Sequence, residues 1–149
     1  MWGIIVSDMS LKSLLLMIMC TALAAVASAN EPERSAMARK SGKQLTVKEW
    51  KTTPDGKNSW IDHIEVYNAK GELIREEEYA DYGRHLSWRS EYTYDTQGRL
   101  QMEVVYNERG KVQKVRKFEY DDKGVCTRRL NYSANGILNS YRRFEYSYE

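Results

Sequence analysis

From about Gln44 to Tyr148, apolar and polar residues alternate in runs of 8 to 11 residues, and glycine-bearing turns separate the runs. Period-two alternation over such lengths predicts β-strands, because successive side chains leave opposite faces of a pleated backbone. The runs are too short to hold a helix plus its connections. Eight strands are expected, in an antiparallel up-and-down meander.

The turns follow one rule. Gly56, Gly71, Gly83, Gly98, Gly110, Gly124 and Gly136 are separated by 15, 12, 15, 12, 14 and 12 residues, a repeat that accounts for seven of the nine glycines. A tyrosine stands four residues before six of them: Tyr67, Tyr79, Tyr94, Tyr106, Tyr120 and Tyr132. Thr53-Pro54-Asp55-Gly56, Asp95-Thr96-Gln97-Gly98, Asn107-Glu108-Arg109-Gly110, Asp121-Asp122-Lys123-Gly124 and Ser133-Ala134-Asn135-Gly136 suit type I turns closed by a left-handed glycine.

Pairing Asp95 with Arg99 sets a trial register. Tyr94, Tyr92, Ser90 and Trp88 then face Leu100, Met102, Val104 and Tyr106, so one face is almost wholly apolar. The same rule puts Glu65 beside Arg75, His63 beside Glu77, and Arg128 opposite Arg142. It slips near Gly83, where Leu86 and Trp88 would face Glu78 and Glu76, which suggests a longer turn or a bulge. A one-sided sheet must cover its apolar face, so a curled sheet or small open barrel is expected, with pairing to a second copy as the other route.

The first 29 residues read as a signal peptide. Lys12 precedes an apolar run from Leu14 to Val26, and Ala27-Ser28-Ala29 offers a small-x-small cleavage pattern before Asn30. The run is shorter than the roughly 20 residues of a membrane span. Met9 is an alternative start, and Met19 before Cys20 does not fit a lipid-acceptor site. Cleavage leaves no transmembrane span and one cysteine, Cys126, with no internal partner. Residues 30–43 are polar and aperiodic, which reads as a flexible leader to a repeat domain over 44–149.

Tyr94-Asp95-Thr96-Gln97-Gly98-Arg99-Leu100 resembles the tyrosine–aspartate repeat of RHS-type bacterial surface proteins, and Tyr120-Asp121-Asp122-Lys123-Gly124 matches its first half. Asn68, Asn107, Ala80 and Ser133 replace the aspartate in other copies. The resemblance implies hairpin-built sheets in an exported protein, similar to small uncharacterised exported bacterial proteins, and implies no particular activity.

Charge is uneven. Thr46 to Gly110 holds 13 acidic and 9 basic residues, whereas Lys111 to Arg143 holds 9 basic and 3 acidic. Lys114, Arg116, Arg128 and Arg142, with Tyr141 and Phe144, form the candidate binding surface, suited to an anionic glycan, lipid headgroup or acidic protein partner. Export argues against nucleic acid. Neither a nucleophile elbow, a phosphate loop nor zinc-type spacing occurs, so no catalytic residue, metal or cofactor is expected. His63 and His85 are the only imidazoles, and His63 reads as one member of a cross-strand polar pair. The expected function is that of a non-enzymatic binding or scaffold module of the bacterial envelope, periplasmic or extracellular. A hydrolase of envelope polymers and a structural homo-oligomer are the alternatives.

Overall fold

The structure is a computed structural model, described here for residues 31–147. The expected signal peptide and its cleavage site lie outside the described residues. No helix among the described residues is long and apolar enough to cross a membrane.

Eight strands form one antiparallel sheet in chain order: β1 (Leu45–Thr52), β2 (Ser59–Tyr67), β3 (Leu73–Ala80), β4 (His85–Tyr94), β5 (Leu100–Asn107), β6 (Val112–Tyr120), β7 (Cys126–Ser133) and β8 (Leu138–Arg143). The meander is as expected. The sheet does not close into a barrel, and β1 and β8 are its edges.

Turn chemistry explains the repeat. The Asp95 carboxylate Oδ1 accepts from the amides of Gln97 and Arg99, both at 2.9 Å. The Gly98 amide closes the turn on the Asp95 carbonyl at 3.0 Å. Asn68 and Asn107 accept through Oδ1 from the corresponding amides of Lys70 and Glu72, and of Arg109 and Lys111. An amide oxygen does what a carboxylate oxygen does here, so Asn replaces Asp without changing the turn.

The trial register is corrected in the strands. Tyr94 does face Leu100, but Gln101 then bulges out, and Thr93 rather than Tyr92 meets Met102. Ser90 pairs with Val105 and Trp88 with Asn107. The same one-residue slip recurs past the other turns, leaving Ile74, Ser87, Gln113, Thr127 and Asn139 unpaired. Consequently Glu65 faces Glu76, His63 faces Glu78, and Arg128 faces Arg143. At Asp81-Tyr82-Gly83 both remedies occur together. Three successive residues have positive φ (49°, 56° and 75°), and Ser87 bulges beyond them.

Because each bulge shifts parity by one, neither face is wholly apolar. The front face carries Glu65, Tyr67, Glu76, Trp88, Ser90, Tyr92, Glu103 and Val105. The back carries Val66, Glu91, Val104, Val115, Leu130 and Tyr132. The turn tyrosines alternate with the ends of the sheet: Tyr67, Tyr94 and Tyr120 point forward, Tyr79, Tyr106 and Tyr132 back. Apolar burial is sparse among the described residues, with Ala38, Val66, Tyr67 and Val105 its members.

The segment expected as a flexible leader is helical. Residues 31–41 are helical (α1), and the segment ends at Gly42, whose amide donates to the Ala38 carbonyl at 3.0 Å. Ala36 and Ala38, Arg39 and Lys40 in the last turn, and a left-handed glycine after it favour this helix. Ala38 is fully buried, and Ser35 Oγ donates to the Gly71 carbonyl at 2.6 Å.

Candidate functional site

The front face holds a chain of paired charges. Arg34 of α1 donates to Glu49 on β1 and Glu65 on β2, each at 2.7 Å. Desolvation works against its charge, but the hydrogen bonds to Glu65 and Glu49 override it and raise its pKa. Glu65 also accepts from the Tyr67 hydroxyl at 2.8 Å.

His63 sits next along this chain. Its Nδ1 lies 2.9 Å from Glu78 Oε2, and its Nε2 lies 3.3 Å from Glu76 Oε1 and 3.8 Å from Glu65 Oε1. The hydrogen bond to Glu76, aided by Glu78 and opposed by burial, lifts His63 to about 9. It is therefore an imidazolium at neutral pH, donating from both nitrogens. Glu76 is pushed down chiefly by His63, and it accepts a further hydrogen bond from the Tyr92 hydroxyl at 2.7 Å. Burial, with ionised Glu76 beside it, raises the Tyr92 phenol in turn. No group of three or more His, Cys, Asp or Glu suited to a metal occurs among the described residues.

Beyond Tyr92 the face opens into a groove of about 470 Å³. Trp88, Asn107, Gln113, Glu103, Lys114 and Arg116 are among its lining residues. Glu103 is nearly buried and accepts from Arg116 at 2.5 Å, with Ser90 Oγ at 3.4 Å. Past Arg116, Arg129 on β7 faces Arg142 on β8. The front face thus runs from carboxylates on β1–β3 to cations on β6–β8.

No protein-family model matches the chain, and no curated protein matches it. Among solved structures, a GtfA/B complex bound to UDP and GlcNAc aligns with 63% of this chain at 20% identity and a TM-score of 0.30. The chain spans 19% of that protein. A protein of unknown function from Bacteroides fragilis NCTC 9343 aligns with 70% of the chain at 14% identity and a TM-score of 0.25, and the match spans 96% of that protein. Likenesses this distant fix no function.

The candidate binding residues divide between the faces. Lys114 and Arg116 line the front groove, and Arg142 stands on the same face, farther along on β8. Arg128 and Tyr141 are on the back, where Arg128 Nη1 reaches Glu119 Oε2 at 3.4 Å and Tyr141 pairs with Leu130. Phe144 lies past β8, its amide donating to the Thr127 carbonyl at 2.9 Å. Arg129, Glu103 and Trp88 were not among the expected binding residues, and the Arg34 bridge was not expected. The polar residue three places after most turn glycines (Gln101, Gln113, Thr127, Asn139) was the signal that could have found the bulges, and with them the faces.

Proposed function

We propose that the chain is an exported, non-enzymatic binding module of the bacterial envelope, and that its front groove recognises a glycan. The observation that carries this reading is the groove's lining. Trp88 offers a flat apolar ring, and Asn107 and Gln113 bring amides that both donate and accept. Sugars present CH faces and hydroxyl rims, which call for that mixture of an apolar platform and a few directional polar groups. The carboxylates nearby support binding rather than hydrolysis. Glu76 is held ionised by His63 and Tyr92 rather than poised as the proton donor that glycoside cleavage needs, and Glu103 is engaged by Arg116. The apolar run at Leu14–Val26 and the Ala27-Ser28-Ala29 pattern support export, and the tyrosine–aspartate resemblance supports an envelope setting.

The test is a glycan array of bacterial envelope polysaccharide fragments probed with wild type, Trp88→Ala and Asn107→Ala. Retained glycans should be lost at least tenfold by Trp88→Ala and should emerge uncleaved by mass spectrometry. An array profile indifferent to both substitutions would overturn the groove as the site, and glycan cleavage would overturn the binding-only reading. Mass spectrometry of protein recovered from the periplasm or medium should find Asn30 at the N-terminus.

A further inference from the structure

The basic end of the front face contains two arginines with no ion-pair partner among the described residues. Arg129 and Arg142 stand directly opposite each other on β7 and β8. Directly opposed like charges are unfavourable in a sheet. The adjacent back-face pair faces the same problem and is relieved, since Arg128 reaches Glu119 at 3.4 Å and Arg143 reaches Glu145 at 2.6 Å. Neither Arg129 nor Arg142 has a carboxylate partner among the described residues. The Arg129 Nε is buried without a hydrogen-bond acceptor. Arg116 adds a third guanidinium nearby, and Glu103, the carboxylate set against this group among the described residues, is already bonded to Arg116. Desolvation, with Arg142 and Arg116 close by, lowers the Arg129 pKa, which is the mark of a cation lacking its counter-charge.

We infer that Arg129 and Arg142, flanked by Arg116, form an anion-binding subsite at the end of the groove, and that the ligand is an acidic glycan. This rests on the groove reading above. Arg116 lines the groove and neighbours Arg129, so an oligosaccharide seated on Trp88 can run along the face past Arg116 and set a carboxylate or sulfate against the guanidiniums. Planar guanidiniums suit such anions because they donate paired, parallel hydrogen bonds. A glycan is favoured over a membrane surface because the cations continue a groove with a tryptophan and amides, whereas a lipid surface needs no such platform.

The experiment titrates the mature chain with oligogalacturonate, its methyl-esterified neutral counterpart, a sulfated oligosaccharide, and phosphatidylglycerol vesicles. The readouts are calorimetry and the Nε–H resonance of Arg129. An acidic oligosaccharide should bind about tenfold more tightly than the neutral one, shift the Arg129 resonance, and weaken with added salt. The carboxylated and sulfated arms report which anion is preferred. Arg142→Glu places a carboxylate opposite Arg129, so it should abolish this preference while raising the unfolding midpoint. Equal binding of acidic and neutral sugars, both lost in Trp88→Ala, would overturn the subsite and leave the groove standing. Sugar binding that ignores Trp88→Ala would overturn the groove instead. Binding to vesicles alone, or an Arg142→Glu variant that keeps the preference, would overturn the inference.

Discussion

Gly71→Ala isolates what the N-terminal helix contributes. Gly71 has a φ of +79°, and a Cβ there would stand 2.4 Å from the Ser35 carbonyl oxygen and 2.8 Å from Arg39 Cγ. Gly110 has a similar φ of +68° with open space around its Cβ position. Alanine in the left-handed region costs about 1–2 kcal/mol at either site. At Gly71 the clash is with helix backbone, so α1 must withdraw. Withdrawal removes the Ser35–Gly71 hydrogen bond, worth about 1 kcal/mol, the burial of Ala38, worth about 0.8 kcal/mol per methyl-sized group, and the half-buried Arg34 bridge to Glu65 and Glu49, worth about 1–2 kcal/mol after allowance for solvent. Gly71→Ala should therefore exceed Gly110→Ala by roughly 3 kcal/mol. Urea unfolding followed by tryptophan fluorescence measures the difference, and circular dichroism reports the fate of the helix. Two variants within about 0.5 kcal/mol of each other would show that the helix is not docked in solution.

Two further outcomes follow from the front and back faces. The His63 imidazolium, at about 9 in the fold against 6.5 for the free group, lends stability that is whole below pH 6.5 and is lost as the pH rises through 9. Urea stability at pH 6 and pH 9.5 should fall more steeply with pH for wild type than for His63→Gln; identical slopes would refute the clamp. Tyr94 and Tyr120 donate to the carbonyls of Leu73 and Leu100 at 2.9 and 2.7 Å. Each Tyr→Phe change should cost about 1 kcal/mol by thermal unfolding, and the two should add. Tyr132→Phe should cost less, since its ring receives the Lys117 ammonium at 5.3 Å and phenylalanine keeps that face. Equal losses at all three positions would remove the distinction.

The strands and turns were legible because local chemistry writes them. A left-handed glycine, an Asx side chain three residues earlier and a period of two are each set within a few residues. The helix at 31–41 was missed, because lack of an apolar period reads as a flexible leader. Ala36, Ala38, the basic last turn and Gly42 favour a helix, but nothing local shows its docking. Nothing in a polar leader says that Arg34 will bridge Glu49 and Glu65, which lie 15 and 31 residues away. The cluster at His63 was hidden for the same reason. Alternation placed Glu76 and Glu78 together on one face, but only the register decides that His63 sits against them rather than against Glu77.

That register turns on one residue per hairpin, which also explains why two faces of mixed character replace the single apolar one. A bulge at Gln101 moves Met102, Val104 and Tyr106 to the back while Ser90 and Tyr92 stay in front, where they meet Val105 and Glu103. Repeated past the other turns, the same shift hands each face one tyrosine from every second turn and keeps both faces partly polar. An open sheet with edges at β1 and β8 tolerates this, because it has no enclosed interior to fill. The consequence for function lies at Asn139. Its bulge pairs Arg142 with Arg129 instead of Arg128, which takes the Arg142 cation off the face where Glu119 waits and sets it on the face with the groove. Deleting Asn139 would remove the bulge yet leave Ser140 opposite Asn131 and Arg142 opposite Arg129, because the residue lost is the unpaired one. It should therefore keep the preference for acidic sugar, measured by calorimetry, and loss of that preference in the deletion would show that pairing across β7 and β8 does not place the cations.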